Sequence, residues 1–275
     1  MKITASEVNK LRQHTGAGMM DCKKALTEAN GDFDAAVDIL RKKGQKVAAK
    51  RSDRDAAEGL VIAKTNDTGD KGVIIVLNCE TDFVAKNEDF GSFADTIATT
   101  ALENGASNLD ELKEMNFPGT DIKIADRITE EIGKIGEKID LSAYSNIEAA
   151  SVVAYNHPGN SIASLVGFNA ETSSEKGRDV AMQIAAMAPV AVDKDSVPQD
   201  VIDKELEIGK ELAIQEGKPA EMAEKISFGR LNKFFKENTL MNQAFIKDNK
   251  KSIKDYLQED NKERSVTTVT RYALS

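Results

Sequence analysis

The run Val73-Ile74-Ile75-Val76-Leu77-Asn78-Cys79-Glu80-Thr81-Asp82-Phe83-Val84-Ala85-Lys86-Asn87 decides how the rest of the chain is read. Its first five residues are apolar and largely β-branched, the length and composition of a buried strand. Thr81 is a competent helix N-cap, and Asp82 just after it suits the positive end of a helix dipole. Strand, tight turn and helix start therefore follow one another, with Asp82 and Phe83 at the tip. A carboxylate beside an aromatic ring at an exposed turn can act as a wedge, the charge disturbing a cation or phosphate site and the ring prying packed side chains apart. The same residues also fit an acidic cap with Phe83 folded back on its own helix. Spacing alone does not choose between the two.

Upstream, Gly59-Leu60-Val61-Ile62-Ala63 leads into the turn cluster Asn66-Asp67-Thr68-Gly69-Asp70, and Gly72 to Asn78 returns as the second arm of a hairpin. Downstream, a helix is predicted from Phe90 to Glu103, with Phe93, Ile97 and Ala101 aligned and Asn104-Gly105 closing it. The pattern recurs: Ser151 to Tyr155, the turn Asn156-His157-Pro158-Gly159-Asn160, Ser161 to Gly167, and a helix from Val180 to Met187. Even the strand exits match, Asn78-Cys79-Glu80-Thr81 against Asn169-Ala170-Glu171-Thr172. A hairpin-plus-helix unit is thus read as duplicated. Where the first copy has Asp82-Phe83-Val84, the second has Ser173-Ser174-Glu175, so the aromatic is hard to assign to the shared fold.

Residues 4–43 read as three short helices. Thr4 or Ser6 caps the first, with Val8 and Leu11 at i, i+3 spacing, and Thr15-Gly16-Ala17-Gly18 breaks it. Met19 to Ala29 forms the second, with Cys22, Ala25, Leu26 and Ala29 on one stripe, and Asn30-Gly31-Asp32 is a turn. The third runs from Phe33 to Lys42 and is ended by Gly44. The glycine loop before Met19 has no preceding strand and no Lys-Ser/Thr ending, so it is not a phosphate-binding loop. Met19 and Met20 are adjacent and cannot both face one core; an exposed Met is a soft, adaptable protein contact, and core filling is the alternative. Residues 45–58 read as a linker or helical extension.

Between the two copies, Asp121 to Lys138 is an amphipathic helix. After the second, Pro198 starts a helix at its favoured first position, Gly217 stops it, and Pro219 starts an antiparallel return through Ile226. Val201, Ile208 and Leu212 among many charges fit a projecting arm that self-associates, or a solvated helical pair. Ser265 to Tyr272 is a strand expected to complete the second unit's sheet.

The chain has 275 residues, enough for more than one core, and no apolar run approaches a membrane span of roughly 18–20 residues. Met1 to Glu7 carries neither a signal-peptide nor a transit pattern, and two distant cysteines, Cys22 and Cys79, suggest neither a disulfide nor a metal site. The expected setting is the cytoplasm. The net charge of −9 argues against nucleic-acid binding by the whole chain. Residues 1–54 nevertheless carry 12 Lys/Arg against 7 Asp/Glu, leaving −14 for the remainder. A basic head on an acidic body suggests two partner surfaces, or two solvated faces. His14 and His157 are the only histidines, and no catalytic triad, metal cluster or nucleotide-binding glycine motif is present. A binding or regulatory protein without cofactor or metal is therefore expected rather than an enzyme.

Thr15-Gly16-Ala17-Gly18-Met19-Met20-Asp21-Cys22-Lys23-Lys24-Ala25-Leu26 closely resembles the N-terminal signature of the translation elongation factor Ts family, and Thr81-Asp82-Phe83-Val84-Ala85-Lys86-Asn87 resembles its second signature. The resemblance implies an α+β fold with a ubiquitin-associated-like three-helix head (residues 1–54), core subdomains at 55–140 and at 141–192 with 230–275, and a helical-hairpin dimerisation arm at 193–229. It implies a guanine-nucleotide exchange factor that binds GDP-bound elongation factor Tu, with Thr81, Asp82, Phe83 and Val84 as the wedge that dislodges Mg²⁺ and loosens the phosphate grip. Arg12, Met19, Met20 and Lys23 match the head's contact surface. His157, Phe245 and Ile246 are further implied contacts, although His157-Pro158-Gly159-Asn160 departs from the family's glycine-rich pattern and Ala244 stands where proline is common. The additional C-terminal helix of some members has no counterpart after Arg271-Tyr272, so its contacts are expected to be weaker or supplied elsewhere. The competing readings are a ubiquitin-like-binding or scaffold module built on the head, and an enzyme with an unrecognised carboxylate site.

Overall fold

The structure is a computed structural model and describes residues 3–274; Met1, Lys2 and Ser275, which fall in the first and last assigned segments, lie outside the described residues. The chain opens with α1 (Ala5–Thr15), α2 (Met19–Glu28) and α3 (Phe33–Arg51). A capping box starts α1: the Thr4 hydroxyl accepts from the Glu7 N–H, and the Glu7 carboxylate accepts from the Thr4 N–H at 2.7 Å. Val8, Leu11, Cys22, Ala25, Leu26 and Ala36 close a small core.

The third helix does not end at Gly44. It continues to Arg51, because Gly44 serves a helix crossing and not a C-cap. A Cβ on Gly44 would stand 2.9 Å from the carbonyl oxygen of Thr129. Side-chain-free backbone lets the two helices touch there, and the long helix divides its apolar face between two cores. Phe33, Val37 and Leu40 pack in the head, whereas Val47 and Ala48 pack against the core beyond it.

After α3 come β1 (Glu58–Thr65), β2 (Lys71–Cys79), α4 (Asp82–Ala85), α5 (Glu88–Asn104), α6 (Leu109–Glu114), α7 (Ile124–Ile135) and β3 (Ile139–Glu148). They are followed by β4 (Ser151–Asn156), β5 (Ile162–Phe168), α8 (Ser174–Met187), α9 (Gln199–Gln215), α10 (Ala220–Asn238), β6 (Ala244–Phe245), β7 (Asp248–Ser252), α11 (Ile253–Leu257) and β8 (Val266–Ala273). Two antiparallel sheets, ordered β1-β2-β3 and β4-β5-β8, have the same plan: a hairpin whose second strand pairs with a strand from farther along. A two-stranded ladder, β6-β7, accompanies them.

The sheets lie face to face. Val61, Ala63, Ile74, Val76 and Ile147 of the first interleave with Val152, Ala163 and Leu165 of the second. The alternate residues of β2, Val73, Ile75 and Leu77, face outward into a core shared with α5, α6 and α7. Both faces of β2 are therefore buried, which is why its sequence is continuously apolar. The outer face of the second sheet packs Val166, Phe168 and Val266 against α8 and α11. The layers run helix, sheet, sheet, helix. The turn of the second hairpin also closes the free edge of β1: the Asn160 carbonyl accepts from the Val61 N–H at 2.7 Å, and the Asn156 amide bonds both the N–H and the carbonyl of Ala63 at 2.8 and 2.9 Å.

Two expected boundaries fall inside elements. The limit between residues 140 and 141 cuts β3, which pairs with β2 across its length. Strand β3 bulges at Ser142, whose hydroxyl bonds the Asn78 side chain at 2.5 Å. The limit between residues 229 and 230 cuts α10, which runs unbroken from the arm to Asn238. Within the arm, Gly209 of α9 meets Ser227 of α10, and a Cβ on Gly209 would lie 3.2 Å from the Ser227 Cα. Small residues hold the pair close while Ile208, Leu212, Met222 and Phe228 remain exposed. Among the described residues no helix is long and apolar enough to cross a membrane.

Candidate functional site

Strand β2 delivers the tip. At its end Thr81 takes an extended conformation and caps α4, its hydroxyl accepting from the Val84 N–H at 3.5 Å. Helix α4 is one turn long and buries one side only: Val84 and Ala85 pack against the first core. Phe83 therefore points the other way and is 83% exposed. Of the two arrangements the sequence allows, the folded-back ring is absent and the presented ring is found. Asp82 receives Lys86 Nζ at 2.6 Å, an i, i+4 ion pair that holds its carboxyl below the usual range, so Asp82 is a carboxylate paired with the Lys86 ammonium group.

Beneath the tip, three segments are knotted together. Both oxygens of Glu80 accept from one nitrogen of the Arg51 guanidinium, each at 2.8 Å. The Lys138 N–H donates to Glu80 Oε1 at 2.6 Å, and this bond, with Arg51, holds the Glu80 carboxyl low. Lys138 Nζ in turn donates to the carbonyls of Ser52 and Arg54 at 2.9 and 3.0 Å, beyond the end of α3. Thr81 donates through its N–H and its hydroxyl to Glu137 at 3.1 and 2.8 Å. Cys79 is buried, which pushes its thiol up to about 11, and its Sγ–H donates to the Thr81 carbonyl at 3.2 Å.

In the head, Met19 and Met20 are both exposed, at 60% and 63%. They begin α2, one turn ahead of the stripe that starts at Cys22, so neither is drawn into the core. An open groove of about 650 Å³ between α1 and α2 gathers Val8, Arg12, Met19, Met20 and Lys23. Arg12 and Lys23 supply its charge, and both are exposed.

His157 sits exposed in the second hairpin turn, its Nδ1 3.1 Å from the Tyr155 hydroxyl. Phe245 departs from its expected role as a surface contact. It is 4% exposed and stacks on Tyr256 with ring centres 4.3 Å apart, because β6 carries it into the core of the second sheet. Ile246, the next residue, is exposed and its N–H donates to Gln183 at 2.9 Å. The predicted residues thus fall into three sets: the tip, the head groove, and the turn and tail of the second unit. Arg51, Glu80, Glu137 and Lys138 were missed because Arg51 and Glu137 meet the tip from 29 and 56 residues away, a separation no local pattern spans.

Residues 80–275 match the family model described as Elongation factor TS. The chain is 52% identical over 275 residues to an elongation factor Ts of Christiangramia forsetii, with 99% of each covered. It is 54% identical over 260 residues to that of Amoebophilus asiaticus (94% of this chain, 93% of the relative) and 47% identical over 276 residues to that of Porphyromonas gingivalis (100% and 99%).

Proposed function

As the chain belongs to the elongation factor Ts family and so has a translation elongation role, we propose that it is a guanine-nucleotide exchange factor for elongation factor Tu, binding the GDP form and opening its nucleotide site. The observation that carries this reading is the tip: a large aromatic left 83% exposed on a one-turn helix whose base is fixed by the Arg51, Glu80 and Glu137 side chains and the Lys138 N–H. An isolated exposed phenylalanine is ordinary. One beside a charged aspartate on a tethered turn is suited to insertion into another protein.

Asp82 would bring negative charge toward the partner's Mg²⁺ and phosphates, and Phe83 would hold the displaced side chains apart. Such an action forms and breaks no covalent bond and needs no cofactor of its own, so the protein is not an enzyme. Factor and nucleotide would bind with negative coupling, and linkage makes that coupling reciprocal. Burying the Phe83 ring contributes roughly 1.5–3 kcal/mol, about a tenfold to hundredfold shift, so the tip needs the wider interface to bring it into place. The groove with Arg12, Met19, Met20 and Lys23 would supply one part of that interface, and the surface around His157 and Ile246 another. The exposed apolar residues of the arm suit a homodimer. The setting is cytoplasmic, with neither nucleic acid nor membrane as partner.

The test is release of a fluorescent GDP analogue from elongation factor Tu, with and without the protein, alongside an Asp82→Ala/Phe83→Ala double variant. Acceleration by the parent protein alone supports both the function and the wedge. Acceleration by both moves the work to the head and core contacts. No acceleration by either overturns the reading.

A further inference from the structure

Helix α3 begins in the core of the head and ends under the tip. Its 19 residues span roughly 28 Å at 1.5 Å per residue. Its first half is locked into the head by Phe33, Ala36 and Leu40, and its middle is locked to α7 where Gly44 meets Gly133. Arg41 adds a bond to Glu130 of α7 at 2.9 Å. Both helices then lead to the tip from below. Arg51, the last residue of α3, holds Glu80, while Glu137, two residues beyond α7, holds Thr81. Lys138 closes the ring, bonding Glu80 with its N–H and the end of α3 with its ammonium group.

We infer that Arg51 and Glu80 are positioning residues that make the head and the tip one rigid piece, so that seating the head groove on a partner fixes where Asp82 and Phe83 arrive. The inference rests on the exchange reading above for its functional consequence, but the linkage itself is a property of the free protein. Neither residue needs to touch the partner. The tip is one turn long, with Val84 and Ala85 packed against the core and Thr81 held by Glu137, and the Arg51–Glu80 pair is its direct side-chain link to the last residue of the head's long helix. Without Arg51 the Glu80 carboxylate keeps the Lys138 N–H but loses its direct ion pair to the end of α3, leaving the indirect link through the Lys138 ammonium group. The tip then samples more orientations at the moment the groove is already bound. A misplacement of this kind lowers the rate of the opening step while leaving the affinity of the rest of the interface in place.

The experiment uses the full chain with Arg51→Gln, Arg51→Lys and Glu80→Ala, and reads GDP release from elongation factor Tu across a range of factor concentrations. For Arg51→Gln the maximal release rate is expected to fall about tenfold, with the half-saturating concentration within about twofold of the parent. Arg51→Lys keeps a cation for Glu80 and is expected to restore most of the rate. Glu80→Ala removes both partners and is expected to fall at least as far as Arg51→Gln. A parent-like maximal rate in Arg51→Gln overturns the inference. So does a raised half-saturating concentration at full maximal rate, which would make Arg51 an ordinary partner contact.

Hydrogen exchange on the free protein separates this from a failure of the exchange reading. In Arg51→Gln the amides of residues 81–87 are expected to lose protection while those of β2 and α2 keep it. Unchanged protection at 81–87 overturns the linkage even if the parent protein releases no GDP at all. General loss of protection would mark a folding defect and equally overturn it.

Discussion

Gly133 of α7 and Gly44 of α3 meet backbone to backbone: a Cβ on Gly133 would stand 2.7 Å from the Gly44 Cα. At that distance no side chain fits between the helices. Gly133→Ala gains up to about 1 kcal/mol of helix propensity, but the contact is with backbone that cannot turn aside, and overpacking of this kind costs about 1–3 kcal/mol. A lower melting temperature, by roughly 2–4 °C per kcal/mol lost, is expected in a calorimetric scan. A raised one would mean that the crossing opens freely.

Phe83→Ala should separate activity from stability. The ring is 83% exposed and supports nothing in the free protein, so melting is expected to stay within about 1 °C of the parent. GDP release from elongation factor Tu should fall about tenfold to hundredfold, the worth of an aromatic side chain's burial. Equal loss of melting temperature and rate would place the ring in the fold instead of the interface.

The acid limb of stability should report on Glu80. Its carboxyl is held low in the folded chain by the Lys138 N–H and by Arg51. A depressed carboxyl stabilises above its unfolded value, about 4.3 for Glu, and that contribution is lost as pH falls through the folded value. Glu80→Gln is therefore expected to melt below the parent at pH 7, with the gap closing on acidification below about pH 4. Asp260, held at about 2 by Arg264 and then Lys176, likewise loses its contribution only as pH falls through that value. A gap that persists unchanged at pH 2–3 would assign the Glu80→Gln effect to shape and not to charge.

The arm offers a test of self-association. Ile208, Leu212, Met222 and Phe228 are exposed on a pair of helices held together by small residues at Gly209 and Ser227. If this surface joins two copies, Phe228→Glu should shift sedimentation toward the monomer without changing core melting. Identical sedimentation of parent and variant would remove the arm as a dimer contact.

The hairpins were legible in the sequence because β1 and β2 bury both faces and leave no polar interruption between their turns. Strand β3 was not, because polar residues interrupt its apolar ones and find their partners in distant segments. Ser142 bonds Asn78, Ser145 bonds the Tyr272 hydroxyl, and Asn146 bonds the Ala106 carbonyl. Gly44 carried a helix-stop signal in the sequence and a packing role in the fold, and only the presence of α7 decides between them. At the site, the tip was readable from Thr81 and its neighbours. Its supports were not, since an ion pair between Arg51 and Glu80 leaves no periodic trace. Phe245 differs for another reason: the resemblance implies it as a contact, and its stacking on Tyr256 puts its ring inside the second core.

The edge of β1 has a further consequence. A strand at the margin of a sheet normally shows a row of unpaired amides and carbonyls, and such a row recruits strands from other chains. Here Asn156 and Asn160 reach over from the second unit and occupy that row at Val61 and Ala63. The bonds that tie the two units together also deny a foreign strand its template. A protein with so apolar a pair of strands is in this way guarded against fibre growth by a turn whose residues lie on the other sheet.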